Sequence, residues 1–150
     1  MTPIVLPVTL TIAAAGAVLH IWLAARVSQL RRGYKISLGD GGNEALLRRM
    51  RAHGNYIENM PVVLILLALL ELAGGDSRIL WAAATLFILS RILHAFGMDR
   101  TAPSRLRMFG MMGSTLALVI LAAYAIFIVY QHPTPHAGVT LPAGRTASVV

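Results

Sequence analysis

Two kinds of apolar segment alternate along the chain. Pro3 to Ala25 and Met108 to Tyr130 are long runs without a charged residue. Each is enough for the roughly 30 Å of bilayer hydrocarbon, which about 20 helical residues cross. The other two segments are short. Only 12 residues separate Glu58 from Glu71, and 12 again separate Arg78 from Arg91, about 18 Å of helix in each case. Both must carry polar residues to membrane depth. Gly74 and Gly75 mark one end of the second segment, so a full span counted back from them takes in Asn55 and Glu58 and reaches Arg51. The third, Ile79 to Met98, is complete only with Arg91 and His94 included. The pattern predicts an all-α integral membrane bundle of four helices over residues 1–130. A loose tail rich in Pro, Gly, Thr and Ser follows over 131–150.

The first run exceeds the apolar core of a signal peptide and has no basic start, so it is expected to be a retained transmembrane helix. Composition agrees with the membrane class: 57% hydrophobic, 13% charged and a mean hydropathy of +0.69. A formal charge of +7 would suit nucleic acid only if it gathered on a soluble basic domain. It is instead sorted between the apolar segments, and no nucleic-acid partner is expected. Six Lys and Arg lie in Val27 to Arg51 and three in Asp99 to Arg107, against one in Gly74 to Arg78 and none at the amino terminus. Basic loops stay in the cytoplasm, which predicts both termini outside and the polar helix ends at the cytoplasmic leaflet.

Some chemistry is excluded outright. There is no cysteine, hence no disulfide framework, thiolate metal site or cysteine nucleophile. His132 and His136 in the tail make too sparse a set for a metal site, and none is expected. "SLGDGGNE" in the first loop matches neither a phosphate-binding nor a calcium loop; it reads as a flexible turn in which Asn43 caps the second helix and Glu44 sits near its positive end.

The polar helix ends remain. At 100° per residue Arg51, Asn55 and Glu58 form one stripe, with Arg48 near it and His53 pointing away. Arg91, His94 and Met98 share a face in the same manner. Charged groups at this depth face a protein interior and mark function or a structural ion pair. Arg48, Arg51, Arg91 and Arg105 outnumber Glu58, the main acid at that depth, so an anionic ligand would balance them. A carboxylate suits the guanidinium fork. Pro61 cannot donate to the carbonyl of Ile57 and is expected to loosen the helix beside the stripe.

"RAHGNYIE" followed by a proline and a run of leucines, "RILH" closing a third span and "PSRLR" before a fourth resemble the MAPEG superfamily, the membrane-associated proteins of eicosanoid and glutathione metabolism. The similarity covers about residues 4 to 130, and "ISLGDGG" looks like a bacterial branch of it. The resemblance implies a homotrimer of four-helix protomers in a bacterial inner membrane, with glutathione as co-substrate bound between subunits near the cytoplasmic face. Arg51, Asn55 and Glu58 match positions that hold the tripeptide, and His94 a histidine of the same site. Arg105 matches the arginine that stabilises the thiolate. Arg26, or alternatively Gln29, matches a first-helix ligand. Met98 and Phe109 stand where several family enzymes have tyrosines, and Gly54 where some have arginine.

The activity so implied is glutathione transfer to, or glutathione-dependent reduction of, a lipophilic electrophile. Two alternatives remain open at this level: a non-catalytic scaffold or lipid-binding member of the same family, and a transporter. The transporter lacks any broken-helix repeat.

Overall fold

The computed structural model describes residues 5–101 and 104–131. The fold is all-α, with four helices long and apolar enough to cross a membrane: α1 (Pro7–Tyr34), α2 (Glu44–Leu72), α3 (Ser77–Met98) and α4 (Arg105–Gln131). The expected tail, with His132 and His136, lies outside the described residues except for Gln131, which ends α4.

Each helix boundary has a local cause. Pro7 opens α1, where a missing N–H costs nothing. No side chain of its own caps α1. Glu71, near the end of α2, does so instead, accepting from the Val8 and Thr9 N–H groups at 2.8 and 2.9 Å and from the Thr9 hydroxyl at 2.8 Å. Helix α1 runs past Ala25 to Tyr34, so Arg26, Arg31 and Arg32 are helical rather than part of a loop. It ends at Lys35 in the left-handed conformation, φ 54°. Asn43 caps α2 as expected, its side chain accepting from the Leu46 N–H at 2.9 Å, with Glu44 in the first turn. Asp76 caps α3 through the Arg78 N–H at 2.8 Å. Ser104 accepts from the Arg107 N–H at 3.2 Å in the first turn of α4.

Helix α2 is a single helix from the charged "RRMRAHGNYIEN" through the leucine run, and it continues on both sides of Pro61. The glutamate and arginines thus belong to the same rod as the apolar span.

Helices α1 and α2 pack as one hairpin and α3 and α4 as another, with α2 and α3 forming the main seam between them. The core is a stripe from each helix: Val8, Ile12, Leu19 and Leu23; Tyr56, Met60, Val63, Leu67 and Leu70; Leu80, Ala83, Ala84 and Phe87; Ala117 and Leu121. Spacings of three and four keep one face of each helix on its neighbours. The α3–α4 seam is the closest approach. A Cβ on Gly110 would lie 2.7 Å from the His94 Cα and from the Ser90 carbonyl oxygen, so only glycine fits, a common device where helices pack without a hydrophobic driving force.

Between α1 and α2 lies an apolar groove of about 540 Å³, lined by Ala13, Gly16, Ala17, His20, Ile21, Tyr56, Ile57, Met60, Pro61 and Leu64. The Tyr56 hydroxyl crosses its floor to donate to the Gly16 carbonyl at 2.6 Å.

Candidate functional site

The buried stripe of α2 centres about 140° round the helix from Arg51, whereas Asn55 and Glu58 lie within about 40° of it. The polar stripe therefore sits on the face of α2 opposite its own core. Arg51 and Glu58 are exposed, and Asn55 is half-buried. These three side chains line a groove of about 250 Å³ together with Leu47, Met50 and Gly54. Every lining residue belongs to α2. The side chain that Gly54 lacks leaves the middle of this groove open, since nothing lies within 4 Å of its would-be Cβ. No ion pair joins Arg51 to Glu58 among the described residues.

Asn55 connects the groove to the interior. Arg91, buried on α3, donates from Nη1 to Asn55 Oδ1. It also donates from Nε to Ser114 Oγ on α4 at 2.7 Å, and from Nη2 to the Gly110 carbonyl at 3.2 Å. Its guanidinium lies 5.6 Å from the Phe87 ring centroid. All these acceptors are neutral, so among the described residues the positive charge beneath the groove is hydrogen-bonded but not cancelled by an acid. With its side-chain oxygen taken, Asn55 has its amide donors left for the groove, while Asn59 Nδ2 donates to the Asn55 main-chain carbonyl at 2.7 Å.

The remaining candidates stand apart. Arg26, buried on α1, forms an ion pair with Asp99 just after α3, with its guanidinium 4.6 Å from the Trp22 ring centroid. Arg49 joins them, Nε to Asp99 Oδ1 at 3.4 Å and Nη1 donating to the Arg26 carbonyl at 2.8 Å. The structure thus places Arg26 in a clasp of α1, α2 and α3, while Gln29 one turn on is exposed. Arg48 pairs with Glu44 at 3.1 Å. His94 shares the inward face of α3 with Arg91 and Met98, as expected, and its Nδ1 has no hydrogen-bond partner among the described residues. Arg105 is exposed at the first position of α4, outside the lining of the α2 groove. Phe109 is exposed as well.

Three residues that matter here were missed in the sequence. Ser114 anchors Arg91, Asp99 gathers Arg26 and Arg49, and Glu71 caps α1. Only Asp99 carried a signal, as the one acid in an otherwise basic loop beside a buried span end.

A family model described as the MAPEG family matches residues 9–127. Two curated relatives, each named inner membrane protein YecN, come from Escherichia coli strains K12 and O6:H1. Both are 28% identical over 109 residues, which covers 73% of this chain and 82% of theirs. Four apolar membrane-spanning helices, the polar face of α2 and this match over most of the bundle agree: the chain belongs to the MAPEG family.

Proposed function

We infer that the protein is a membrane-bound, glutathione-dependent transferase that conjugates the tripeptide to a lipophilic electrophile, or uses it to reduce one. The observation that carries this is the outward polar stripe of α2. Arg51, Asn55 and Glu58 line one groove on a face that turns away from the protomer's own core. Charged groups at membrane depth do not face lipid. A second protomer covering α2 would supply the missing wall, which supports self-association with glutathione held between subunits, in the homotrimer that the family resemblance implies. The family includes glutathione transferases, and relatives named as inner membrane proteins support a bacterial inner membrane location. The basic loops support both termini outside and the site at the cytoplasmic leaflet.

In this site the Arg51 fork takes a glutathione carboxylate, Glu58 takes the ammonium, and Asn55, held by Arg91, hydrogen-bonds the peptide. Arg91 thereby positions Asn55 and adds positive potential rather than touching the ligand. His94, one turn along α3, is the histidine of the same glutathione site. Arg105, at the start of α4, supplies the guanidinium that holds the thiolate, and Arg26 or Gln29 borders the site from α1. A free thiol of pKa about 8.5 is only a few per cent ionised at neutral pH, and a nearby cation favours the anion. The thiol proton passes to solvent, and the sulfur forms a bond to the electrophilic carbon, adding to it or displacing its leaving group. The lipophilic partner enters from the bilayer.

Calorimetric titration of the detergent-solubilised protein with glutathione, followed by turnover of several model electrophiles, tests this. Saturable binding with turnover supports it. Binding without turnover replaces it with the scaffold alternative, for which the absence of a hydroxyl at Met98 and Phe109 speaks. No binding at all removes both the transferase and the site.

A further inference from the structure

The cations at the end of α1 are left over when every acid is assigned. Asp99 takes Arg26 and Arg49, and Glu44 takes Arg48. Glu71 caps α1, Asp76 caps α3, Asp40 accepts from the Gly42 N–H at 3.1 Å, and Glu58 lines the α2 groove. These are all six Asp and Glu of the chain. Among the described residues none meets Arg31, Arg32 or Lys35.

Those three cations border a single concavity. A groove of about 490 Å³ at the end of α1 is lined by Ser28, Arg31, Arg32, Lys35, Ile36 and Ser37. Arg31 is held in place, its Nη1 donating to the Ser37 carbonyl at 3.3 Å and its Nη2 to Met50 Sδ at 3.5 Å. Two hydroxyls, Ser28 and Ser37, add donors beside it. Depth decides what reaches this groove. If the hydrocarbon begins at Pro7, about 20 residues end it near Arg26, the first charge of α1. Ser28 to Lys35 then stand about 3 to 13 Å beyond that boundary, in the layer of lipid headgroups. Tyr34, exposed at the helix end, is the aromatic residue typical of that layer.

We propose that this groove binds the phosphate of an anionic membrane phospholipid. The guanidinium forks of Arg31 and Arg32 and the Lys35 ammonium take the phosphate oxygens, and the serines complete the cradle. The acyl chains run back along the apolar surface of α1 toward the hydrocarbon. The two grooves share no lining residue and touch only through Met50, which lines the α2 groove and accepts from Arg31; the proposal does not rest on glutathione binding.

The test uses the purified full-length protein in detergent, titrated with phosphatidylglycerol, phosphatidylcholine or inorganic phosphate. Native mass spectrometry counts retained lipid, and thermal unfolding reads protection. Wild type is expected to retain phosphatidylglycerol over phosphatidylcholine. Each cation contributes roughly fivefold, so R31Q/R32Q/K35Q loses roughly 100-fold in that preference. Should the triple variant fail to insert, Ser28→Trp keeps every charge and fills the groove, and it too must lose the preference. Arg100→Gln, which removes a cation outside the groove, must keep it. Equal retention of both lipids by wild type overturns the proposal, as does an unchanged preference in Ser28→Trp. Equal protection by inorganic phosphate alone overturns the lipid as the ligand.

Discussion

Arg91 on α3 reaches across to Asn55 on α2, so one buried guanidinium fixes the side chain at the centre of the outward groove. The same guanidinium holds Ser114 on α4, and three helices are registered through one residue. Arg91→Lys keeps the charge but loses the fork. It is expected to lower the unfolding temperature in detergent and to weaken glutathione binding. A double-mutant cycle with Asn55→Ala should give a coupling of about 1 kcal/mol, the scale of hydrogen bonds between membrane helices. A coupling near zero would show that Asn55 is positioned by something else.

Arg51 separates ligand binding from structure. It makes no hydrogen bond or ion pair within the protomer among the described residues, so Arg51→Ala should leave the protomer fold intact. If its fork holds a carboxylate, the loss is about 1.5 to 3 kcal/mol, which calorimetry reads as roughly 10- to 150-fold weaker glutathione binding. Unchanged affinity together with loss of the oligomer would make it an assembly residue.

Arg105 carries the chemistry in the proposed site. Glutathione bound to wild type is expected to show thiolate ultraviolet absorbance at lower pH than free glutathione. Arg105→Leu should abolish that signal and slow conjugation while glutathione affinity stays within about threefold, since Arg51, Asn55 and Glu58 hold the rest of the tripeptide. Phe109→Tyr is expected to raise the rate by offering the sulfur a hydrogen bond. Retention of the thiolate signal in Arg105→Leu would move the role to another cation.

Two glycines are expected to give opposite results. Gly110→Ala places a methyl against the His94 and Ser90 backbone and should cost several kcal/mol or force α3 and α4 apart, because packed seams do not absorb an added carbon cheaply. Gly33→Ala meets nothing within 4 Å on a helix and should raise stability by up to about 1 kcal/mol. Thermal unfolding of both variants in the same detergent compares them directly. Equal effects would mean that the α3–α4 seam yields enough to take a methyl group.

The four helices were legible because lipid leaves few options: an apolar run of the right length has to be a helix. The α2 stripe was legible for a related reason, since 3.6-residue periodicity alone puts Arg51, Asn55 and Glu58 on one side. Which side was not legible. Only the packed Tyr56, Met60 and Val63 show that the stripe faces away from the bundle. Arg26 and Arg91 looked alike in sequence, as lone arginines at the ends of spans, yet one pairs with Asp99 and the other meets only neutral oxygens. Their partners lie 73 and 23 residues away along the chain, beyond what local periodicity can reach.

The carboxylate of Glu71 ties the first turn of α1 to the last turn of α2, and at the opposite end the Arg49 guanidinium ties α2 to the Arg26 carbonyl. The hairpin is thus fastened towards both ends and again at mid-height, where Tyr56 donates to the Gly16 carbonyl and the His53 and His20 ring nitrogens lie 3.3 Å apart. The apolar groove between them, bridged at mid-height by Tyr56, cannot widen by the helices swinging open from either end. An occupant would therefore enter through the open side of the groove, past Met60 and Leu64. A long, narrow apolar molecule should fit this groove better than a broad one, a difference that binding of straight-chain against branched lipophilic compounds would measure.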